Sequence, residues 1–242
     1  KRLESQATVL AADDTRGMME NARSFRVMNC ICRTEQGLLD NPCSHTKEVC
    51  LAFSKEEDAW EGGNQLDGRT ISRDEAYEIL DKAEEEGLVQ CTYNFEHNSM
   101  FVCNCCSCCC GFMRLLTEYH TPYGLVRSNW EAVIDGDLCE GCGVCANERC
   151  PVAAIEENDD LVYEVLSERC IGCGVCVLTC PTEAIGLTPR PESEQVVPPR
   201  NIVEWSVERA ANRSGPVKAM ALRGWLGWHK MRHGGKGSGI PG

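Results

Sequence analysis

The chain has 242 residues, of which 19 are cysteines, and it carries a formal net charge of −13 with an isoelectric point near 4.9. The acidic balance argues against a nucleic-acid-binding surface over most of the chain, and the absence of any apolar run of 18 residues argues against a membrane span. The odd number of cysteines and their tight spacing argue against a disulfide scaffold and for metal ligation in a reducing, cytoplasmic setting.

Charge and cysteines divide the chain into segments. Residues 1–185 carry 15 basic and 33 acidic side chains, a balance of −18, whereas residues 186–242 carry 9 basic and 4 acidic, a balance of +5. We predict a leader over residues 1–22, an upstream cysteine-rich domain over 23–130, a domain with an internal repeat over 131–188 and a basic tail over 189–242. No signal peptide opens the chain, and because it does not begin with Met we expect an N-terminal piece to be processed or missing.

The upstream cysteines form two groups. The first begins with a C-x-C-R motif and consists of Cys30, Cys32, Cys43 and Cys50. The second is a C-x-C-C-x-C-C-C motif that consists of Cys103, Cys105, Cys106, Cys108, Cys109 and Cys110. So many adjacent thiols cannot all be packing residues, and without metal they would be prone to oxidation. Metal ligation is therefore the economical interpretation.

A helix is predicted between the two cysteine groups, over residues 73–86. Ser72 and Glu75 have the spacing of a capping box at its start, and Gly87 can end it. Its apolar residues recur on one face, at Ala76, Ile79, Leu80 and Ala83. The charged face indicates solvent exposure or, less favoured, an acidic docking patch for a basic redox partner.

Two apolar runs follow the helix, at residues 88–93 and 100–103. The polar residues 94–99 separate them, and this arrangement predicts a hairpin. Cys91 lies in the middle of the first run, where we interpret it as a small buried apolar residue.

The cysteines of residues 131–188 form an internal repeat. The first copy is a C-x-x-C-x-x-C run that begins at residue 139 and is followed by Cys-Pro at 150–151; the second begins at residue 170 and is followed by Cys-Pro at 180–181. The period is therefore 170 − 139 = 31 residues. Short apolar runs precede the copies at 132–134 and 161–165, which predicts a duplicated β–loop–helix unit.

This repeat resembles the bacterial two-cluster ferredoxins over residues 132–187. In those proteins three cysteines of one run bind a 4Fe–4S cluster, and the fourth ligand comes from the Cys-Pro of the other copy. The resemblance implies one cluster on Cys139, Cys142, Cys145 and Cys180, and a second on Cys170, Cys173, Cys176 and Cys150. Zinc sites instead use C-x-x-C pairs with a longer spacer. The proline after each fourth cysteine is expected to start the next helical turn.

The upstream motifs resemble a group of larger 4Fe–4S proteins of anaerobic microbes, in which the same two motifs precede a ferredoxin-like domain. The resemblance covers roughly residues 20–190 and implies one or two further iron–sulfur clusters. One division of the ligands assigns the first cysteine group to one cluster and four thiols of the second group to another. The alternative mixes both groups in one unusual or larger cluster; zinc, disulfides and free thiols are the remaining interpretations.

Two residues beside the upstream thiols are candidates for other roles. Arg33 directly follows a candidate ligand, where it could bind the cofactor by donating hydrogen bonds to cluster sulfur or by offsetting its charge; the alternative is a solvated surface arginine. His45 lies between Cys43 and Cys50 and could ligate iron, but a lone loop histidine is more often a surface residue, which is what we expect.

The basic tail is predicted to be extended near its prolines and then helical near 200–213 and 216–233. The second of these segments mixes tryptophans with basic residues. This pattern is typical of a segment that packs on its own acidic body or on a partner protein; contact with a membrane surface is the less favoured alternative. Residues 234–242 have the composition of a linker.

The predicted fold class is α+β, with a two-cluster ferredoxin-like domain, a small cysteine-rich α+β domain, short elements and long ligand loops. The sequence favours an electron-transfer protein that passes low-potential electrons through several 4Fe–4S clusters to or from a partner, within a multi-subunit oxidoreductase. The alternative is a reductase in which residues 103–110 hold a catalytic cluster; a redox sensor is a minor third. The sequence contains no recognisable catalytic constellation, phosphate loop or dinucleotide fingerprint, which favours the carrier.

Overall fold

The computed structural model describes residues 7–60, 68–96, 99–121 and 124–233. The expected linker at 234–242 and the first six residues of the expected leader lie outside these ranges. The described chain mixes strands and helices, and its fold is α+β, as predicted. Its strands are β1 (Ala7–Val9), β2 (Ser24–Asn29), β3 (Glu48–Ser54), β4 (Arg69–Ile71), β5 (Val89–Tyr93), β6 (Phe101–Cys105), β7 (Trp130–Ile134), β8 (Ile155–Glu157), β9 (Tyr163–Val165) and β10 (Ile185–Pro189). Its α-helices are α1 (Ala12–Met19), α2 (Ile31–Leu38), α3 (Arg73–Glu85), α4 (Gly111–Thr117), α5 (Ile202–Ser214) and α6 (Pro216–His233).

The first six strands form one antiparallel sheet in the order β1-β5-β6-β3-β2-β4. On one face of this sheet, α3 packs against β2 and β3. The apolar core under α3 comprises Met19, Ala22, Phe25, Val27, Leu51, Phe53, Ile71, Ala76, Leu80 and Val102.

The opposite face of the sheet carries thiols from three strands. Leu51 and Val102 are cross-strand partners in the core under α3. Side chains alternate between the faces of a strand, so Cys50 and Cys103 lie on the other face. Continuing the β3–β6 register by one residue places Cys50 opposite Cys103, and Cys103 is in turn the partner of Cys91. Strand alternation therefore gathers these thiols in one row.

The predicted helix over 73–86 is confirmed as α3. Ser72 caps it, because the Ser72 Oγ accepts a hydrogen bond from the Glu75 N–H at 3.1 Å. Gly87 follows its end with a φ of +76°, a conformation that costs glycine little. The Glu75 carboxylate lies 2.6 Å from Arg69 of β4, so it ties the helix to the sheet. The buried residues of α3 are Ala76, Leu80 and Ala83.

The predicted hairpin is confirmed as β5 and β6. The second strand continues to Cys105, two residues beyond its predicted end, because Cys105 still pairs with Val89. Cys91 is buried, with 4% of its surface exposed, as predicted.

Residues 7–22 belong to the upstream domain rather than to a separate leader. Strand β1 pairs with β5 along the edge of the sheet. Met19 and Ala22 are buried and pack in the core under α3. Sequence patterns do not indicate this pairing, because a strand of three residues has too few positions to display a period.

Each copy of the downstream repeat folds as a strand, a ligand loop, a short helical turn and a second strand. The outer strands β7 and β10 pair with each other, as do the inner strands β8 and β9. The helical turns span Cys145–Arg149 and Val177–Thr179, ahead of each Cys-Pro. The predicted order of strand, loop and helix is therefore confirmed, but the expectation that the proline starts a helical turn is wrong: a strand follows each Cys-Pro, because Ile155 and Ile185 are buried there in the domain core.

Arg149 joins the two domains. Its guanidinium donates hydrogen bonds to the carbonyl oxygens of Glu84 and Glu85, at 2.7 and 2.8 Å. These carbonyls end α3, where the helix dipole favours a cation.

The tail is helical where the sequence predicted it, in α5 and α6. The two helices pack against each other, and the Glu96 N–H donates to the Pro199 carbonyl at 2.8 Å, which fastens the extended segment to the upstream domain. Trp205 is buried, whereas Trp225 and Trp228 are about half exposed. Among the described residues, no helix has the length and apolarity needed to cross a membrane.

Candidate metal centres

Two pockets in the downstream domain are each lined by four thiols. One pocket, here called the outer site, is lined by Cys139, Cys142, Cys145 and Cys180. The other, here called the inner site, is lined by Cys150, Cys170, Cys173 and Cys176. Each pocket combines the three thiols of one loop with the Cys-Pro thiol of the other copy, which is the combination that the ferredoxin resemblance implied.

The inner site is the more buried of the two. Cys142 of the outer site is exposed, whereas burial raises the pKa of Cys173 and raises that of Cys176 to about 12. Such thiols become thiolates only when a bound cation compensates for the lost hydration. The Ala154 N–H also donates to the Cys150 Sγ at 3.1 Å, as backbone amides do around cluster ligands. The soft donor set and its surroundings fit an iron–sulfur cluster.

The ligand loop of the inner site is fixed from behind. Gly172 has a φ of +68°, and a Cβ there would lie 2.0 Å from the Trp130 carbonyl oxygen, so only glycine fits. Arg190 is 2% exposed; it donates to the Cys170 carbonyl at 2.7 Å and pairs with Glu131 at 3.0 Å. Sequence reasoning missed Arg190 because it lies in a proline-rich stretch that we assigned to the tail.

Six upstream thiols form a ring beside the sheet. Each thiol interacts through its side chain with the next around this thiol ring, and an electrostatic interaction between Cys50 and Cys30 closes it. In order, its members are Cys30, Cys32, Cys110, Cys105, Cys103 and Cys50. The ring therefore contains thiols from both upstream groups.

The thiol ring has the chemistry of a soft-metal site. Hydrogen bonding with Cys103, together with burial, raises the pKa of Cys50. Hydrogen bonding with Cys105, together with burial, raises the pKa of Cys110 to about 12. Backbone N–H groups contact ring members as well, one of them from Gly111 to Cys32. Crowded thiols that are buried or half-buried, with amide donors beside them, fit an iron–sulfur cluster, as the thiols of the inner site do.

Known proteins resemble the downstream domain. Residues 132–187 match the model of a 4Fe-4S dicluster domain. An uncharacterized ferredoxin of Methanocaldococcus jannaschii is 40% identical to the chain over 58 residues, which are 23% of this chain and 92% of that protein. The chain belongs to the ferredoxin family through this domain.

Two other relatives match the chain over a smaller part of their own length. Another uncharacterized ferredoxin of M. jannaschii is 47% identical over 49 residues, which are 20% of this chain and 29% of that protein. The electron transport protein HydN of Escherichia coli is 43% identical over 56 residues, which are 22% of this chain and 31% of that protein. The chain thus spans less than a third of these relatives, and each match covers about a fifth of the chain.

Upstream of the ferredoxin domain, Arg33 is buried rather than solvated, with 1% of its surface exposed. Its guanidinium donates to the Thr46 carbonyl at 2.9 Å and to the Asn104 carbonyl at 3.0 Å. Cys106 and Cys30 both interact with it electrostatically. Arg33 therefore places a positive charge among the upstream thiols, and the alternative of a surface arginine is wrong.

Three upstream thiols outside the thiol ring lie with a histidine. Cys43, His45, Cys106 and Cys108 each offer one donor atom, and these four atoms all lie within 4.8 Å of one another. We call these four residues the cysteine–histidine group. Burial opposes ionisation of Cys43, but hydrogen bonds from His45 and Cys109 outweigh it and lower the pKa of Cys43 to about 6. His45 is therefore not the isolated surface residue that we expected.

The spatial groups do not follow the order of the cysteines in the sequence. The first division of ligands placed Cys43 with Cys30, Cys32 and Cys50, whereas the structure places Cys43 beside Cys106. The reason is that the loop between α2 and β3 brings Cys43 to Cys106 and Cys108, whereas the pairing of β3 with β6 brings Cys50 to Cys103.

Proposed function

We propose that this protein is an iron–sulfur electron carrier, a subunit that passes low-potential electrons to or from a larger redox enzyme. One observation carries the proposal: the thiol ring and the inner site share a single apolar cluster. Cys105 and Cys110 of the ring pack in this cluster with Ile171 and Val175 of the inner loop, and Cys173 lies against it. Three thiol sites therefore follow one another through the molecule, in the order outer site, inner site and thiol ring.

We propose a 4Fe–4S cluster at the outer site, a second at the inner site and a further iron–sulfur cluster in the thiol ring. Such clusters supply one-electron oxidation and reduction when bound. The match to the dicluster domain and the cross-paired thiols of the two pockets support the first two assignments. The ring offers more thiols than one cubane needs, so its spare members are available to a larger cluster.

The chain's own residues keep water away from the path between the inner site and the ring. Cys91, Val89, Met113 and Leu125 are all at most 4% exposed and belong to the shared cluster. Cys91 interacts electrostatically with Cys173 on one side, and its thiol forms a hydrogen bond with the thiol of Cys105 on the other. A closely packed apolar boundary of this kind supports transfer, because it brings the two sites together through buried side chains.

The outer site is where we place the contact with a redox partner. Cys142 is exposed there, and Leu138 is half exposed. Asp137 and Glu140 surround these residues with negative charge, and the whole chain carries −13. A partner with a basic patch fits this end, and the surplus negative charge favours the oxidised clusters and hence low potentials.

All nineteen cysteines are free of disulfides, which supports the proposal of a reducing, cytoplasmic location in an anaerobic organism. The reductase alternative is not favoured by the relatives, one of which is named as an electron transport protein.

Iron analysis and electron paramagnetic resonance of the anaerobically purified full chain test the proposal. We expect about twelve irons per chain, four at each of three clusters. Cys50→Ser should alter the ring signal and spare the ferredoxin signals, and Cys142→Ser should alter the signal of the outer site and spare those of the inner site and the ring. About eight irons per chain would contradict a cluster in the ring, and a Cys50→Ser spectrum identical to that of the parent protein would contradict Cys50 as one of its ligands.

The transfer order needs a kinetic test. After rapid mixing with a reductant protein that carries a basic patch, reduction should be slowed by Cys142→Ser, and by high salt because rim charges steer the encounter. A reduction rate that does not respond to either change would contradict entry at the outer site.

A further inference from the structure

The cysteine–histidine group is more compact than a cluster site. Its four donor atoms lie within 4.8 Å of one another, and the His45 Nδ1 lies 3.8 Å from the Cys108 Sγ. We propose that Cys43, His45, Cys106 and Cys108 bind one zinc ion, in a structural site that is separate from the iron–sulfur clusters.

The spacing of the donors decides between one ion and a cluster. Zinc binds sulfur at about 2.3 Å and nitrogen at about 2.0 Å, so tetrahedral donors lie about 3.5–3.8 Å apart. The observed donor atoms need to move by less than the length of a bond to reach that geometry. A cubane places each ligand on a different iron, which requires the donors to stand farther apart. Three thiolates with one imidazole are an established zinc donor set.

The surroundings hold the donors in position. Arg33 donates to the Thr46 carbonyl in the loop that carries Cys43 and His45, and it donates to the Asn104 carbonyl ahead of Cys106. The Glu86 carboxylate accepts hydrogen bonds from the Thr46 N–H, at 3.0 Å, and from the Thr46 hydroxyl. The two segments that would share the ion are therefore both fixed to Arg33, as the neighbours of metal ligands commonly are held by shared hydrogen bonds.

The charges also balance. Zinc with three thiolates and a neutral imidazole carries a net charge of −1. Arg33 interacts electrostatically with Cys106 and with Cys43, and its guanidinium, nearly fully buried, supplies the compensating positive charge. Among the described residues its Nε has no hydrogen-bond partner, so a donor is available towards metal-bound sulfur.

The position of the site suggests what the ion does. Four protein ligands leave no open position, which is typical of structural zinc. The ion would join the loop between α2 and β3 to the turn between β6 and α4. Both connections are flanked by members of the thiol ring, so zinc would fix the positions of the chain segments that carry the ring thiols.

Metal analysis of the full chain, purified without oxygen from medium containing both iron and zinc, tests the proposal. We expect about one zinc per chain. The zinc absorption edge should show three sulfurs near 2.3 Å and one nitrogen near 2.0 Å; iron clusters do not contribute at this edge. His45→Ala should weaken zinc retention against a chelator about tenfold or more and leave the ferredoxin signals intact, which shows that the chain has folded.

Two further variants fix the ligand set. His45→Cys should restore zinc retention and change the edge to four sulfurs, because it replaces one ligand by another. Cys109 contacts Cys43 but is not a member of the group, so Cys109→Ala should retain zinc. Zinc absent from the parent protein, full zinc retention in His45→Ala, an edge with four sulfurs in the parent, or loss of zinc in Cys109→Ala would each overturn the proposed site.

Discussion

Replacing Arg33 tests the most deeply buried charge of the upstream domain. Arg33 is 1% exposed, and its guanidinium donates to the carbonyl oxygens of Thr46 and Asn104; Arg33→Met keeps an unbranched apolar side chain but removes this guanidinium. It leaves both carbonyls without that donor, and it leaves Cys106 without a neighbouring positive charge.

The expected cost follows from these contacts. A hydrogen bond to a charged group contributes about 1.5–3 kcal/mol, and removing one partner of a buried charge arrangement costs about 3–5 kcal/mol. Because the arginine's own desolvation is relieved, we take the lower end, about 3 kcal/mol. A loss of that size should lower the unfolding midpoint by about 6–12 °C in a chain of this length.

Anaerobic thermal unfolding of the metal-loaded protein, at one scan rate, measures this shift. Arg23→Met is the matched control, because Arg23 forms an exposed pair with Glu57, and exposed pairs contribute about 0–1 kcal/mol. Arg33→Lys should fall between the two, since it keeps the charge but cannot span both carbonyls. If Arg33→Met unfolds within about 2 °C of the control, the buried guanidinium does not hold the segments of Thr46 and Asn104 together.

Three other substitutions test the ferredoxin domain and its attachment. Gly172→Ala should abolish iron binding at the inner site, because the new Cβ would meet the Trp130 carbonyl at 2.0 Å; normal iron content would show that the loop can relax. Arg190→Met should destabilise the domain by about 3 kcal/mol and speed iron release, because the Cys170 carbonyl loses its donor; an unchanged release rate counts against this. Arg149→Ala should increase proteolysis between the domains while the ferredoxin signals persist, because it removes the contact with the end of α3; cleavage as slow as in the parent protein would refute that role.

Local patterns were sufficient wherever the information lies in neighbouring residues. The spacing of the ferredoxin cysteines fixes which thiols one loop can present together, and the comparison with dicluster domains supports that interpretation. The cap of α3 at Ser72 and the burial of Cys91 follow from the same kind of short-range rule. In contrast, the turn after each Cys-Pro was misassigned, because a proline after a turn is compatible with both a helix and a strand.

The sequence by itself determined the thiol chemistry of this protein, its duplicated ferredoxin loops and its α+β class, since each depends on residue type and short spacing. Only the tertiary structure decided which of the upstream candidate ligands lie together, because that depends on which strands pair. The pairing of β3 with β6 brings Cys50 to Cys103, and the loop after α2 brings Cys43 and His45 to Cys106 and Cys108. Residues 53 and 63 positions apart in sequence meet there, and no local period records such a contact.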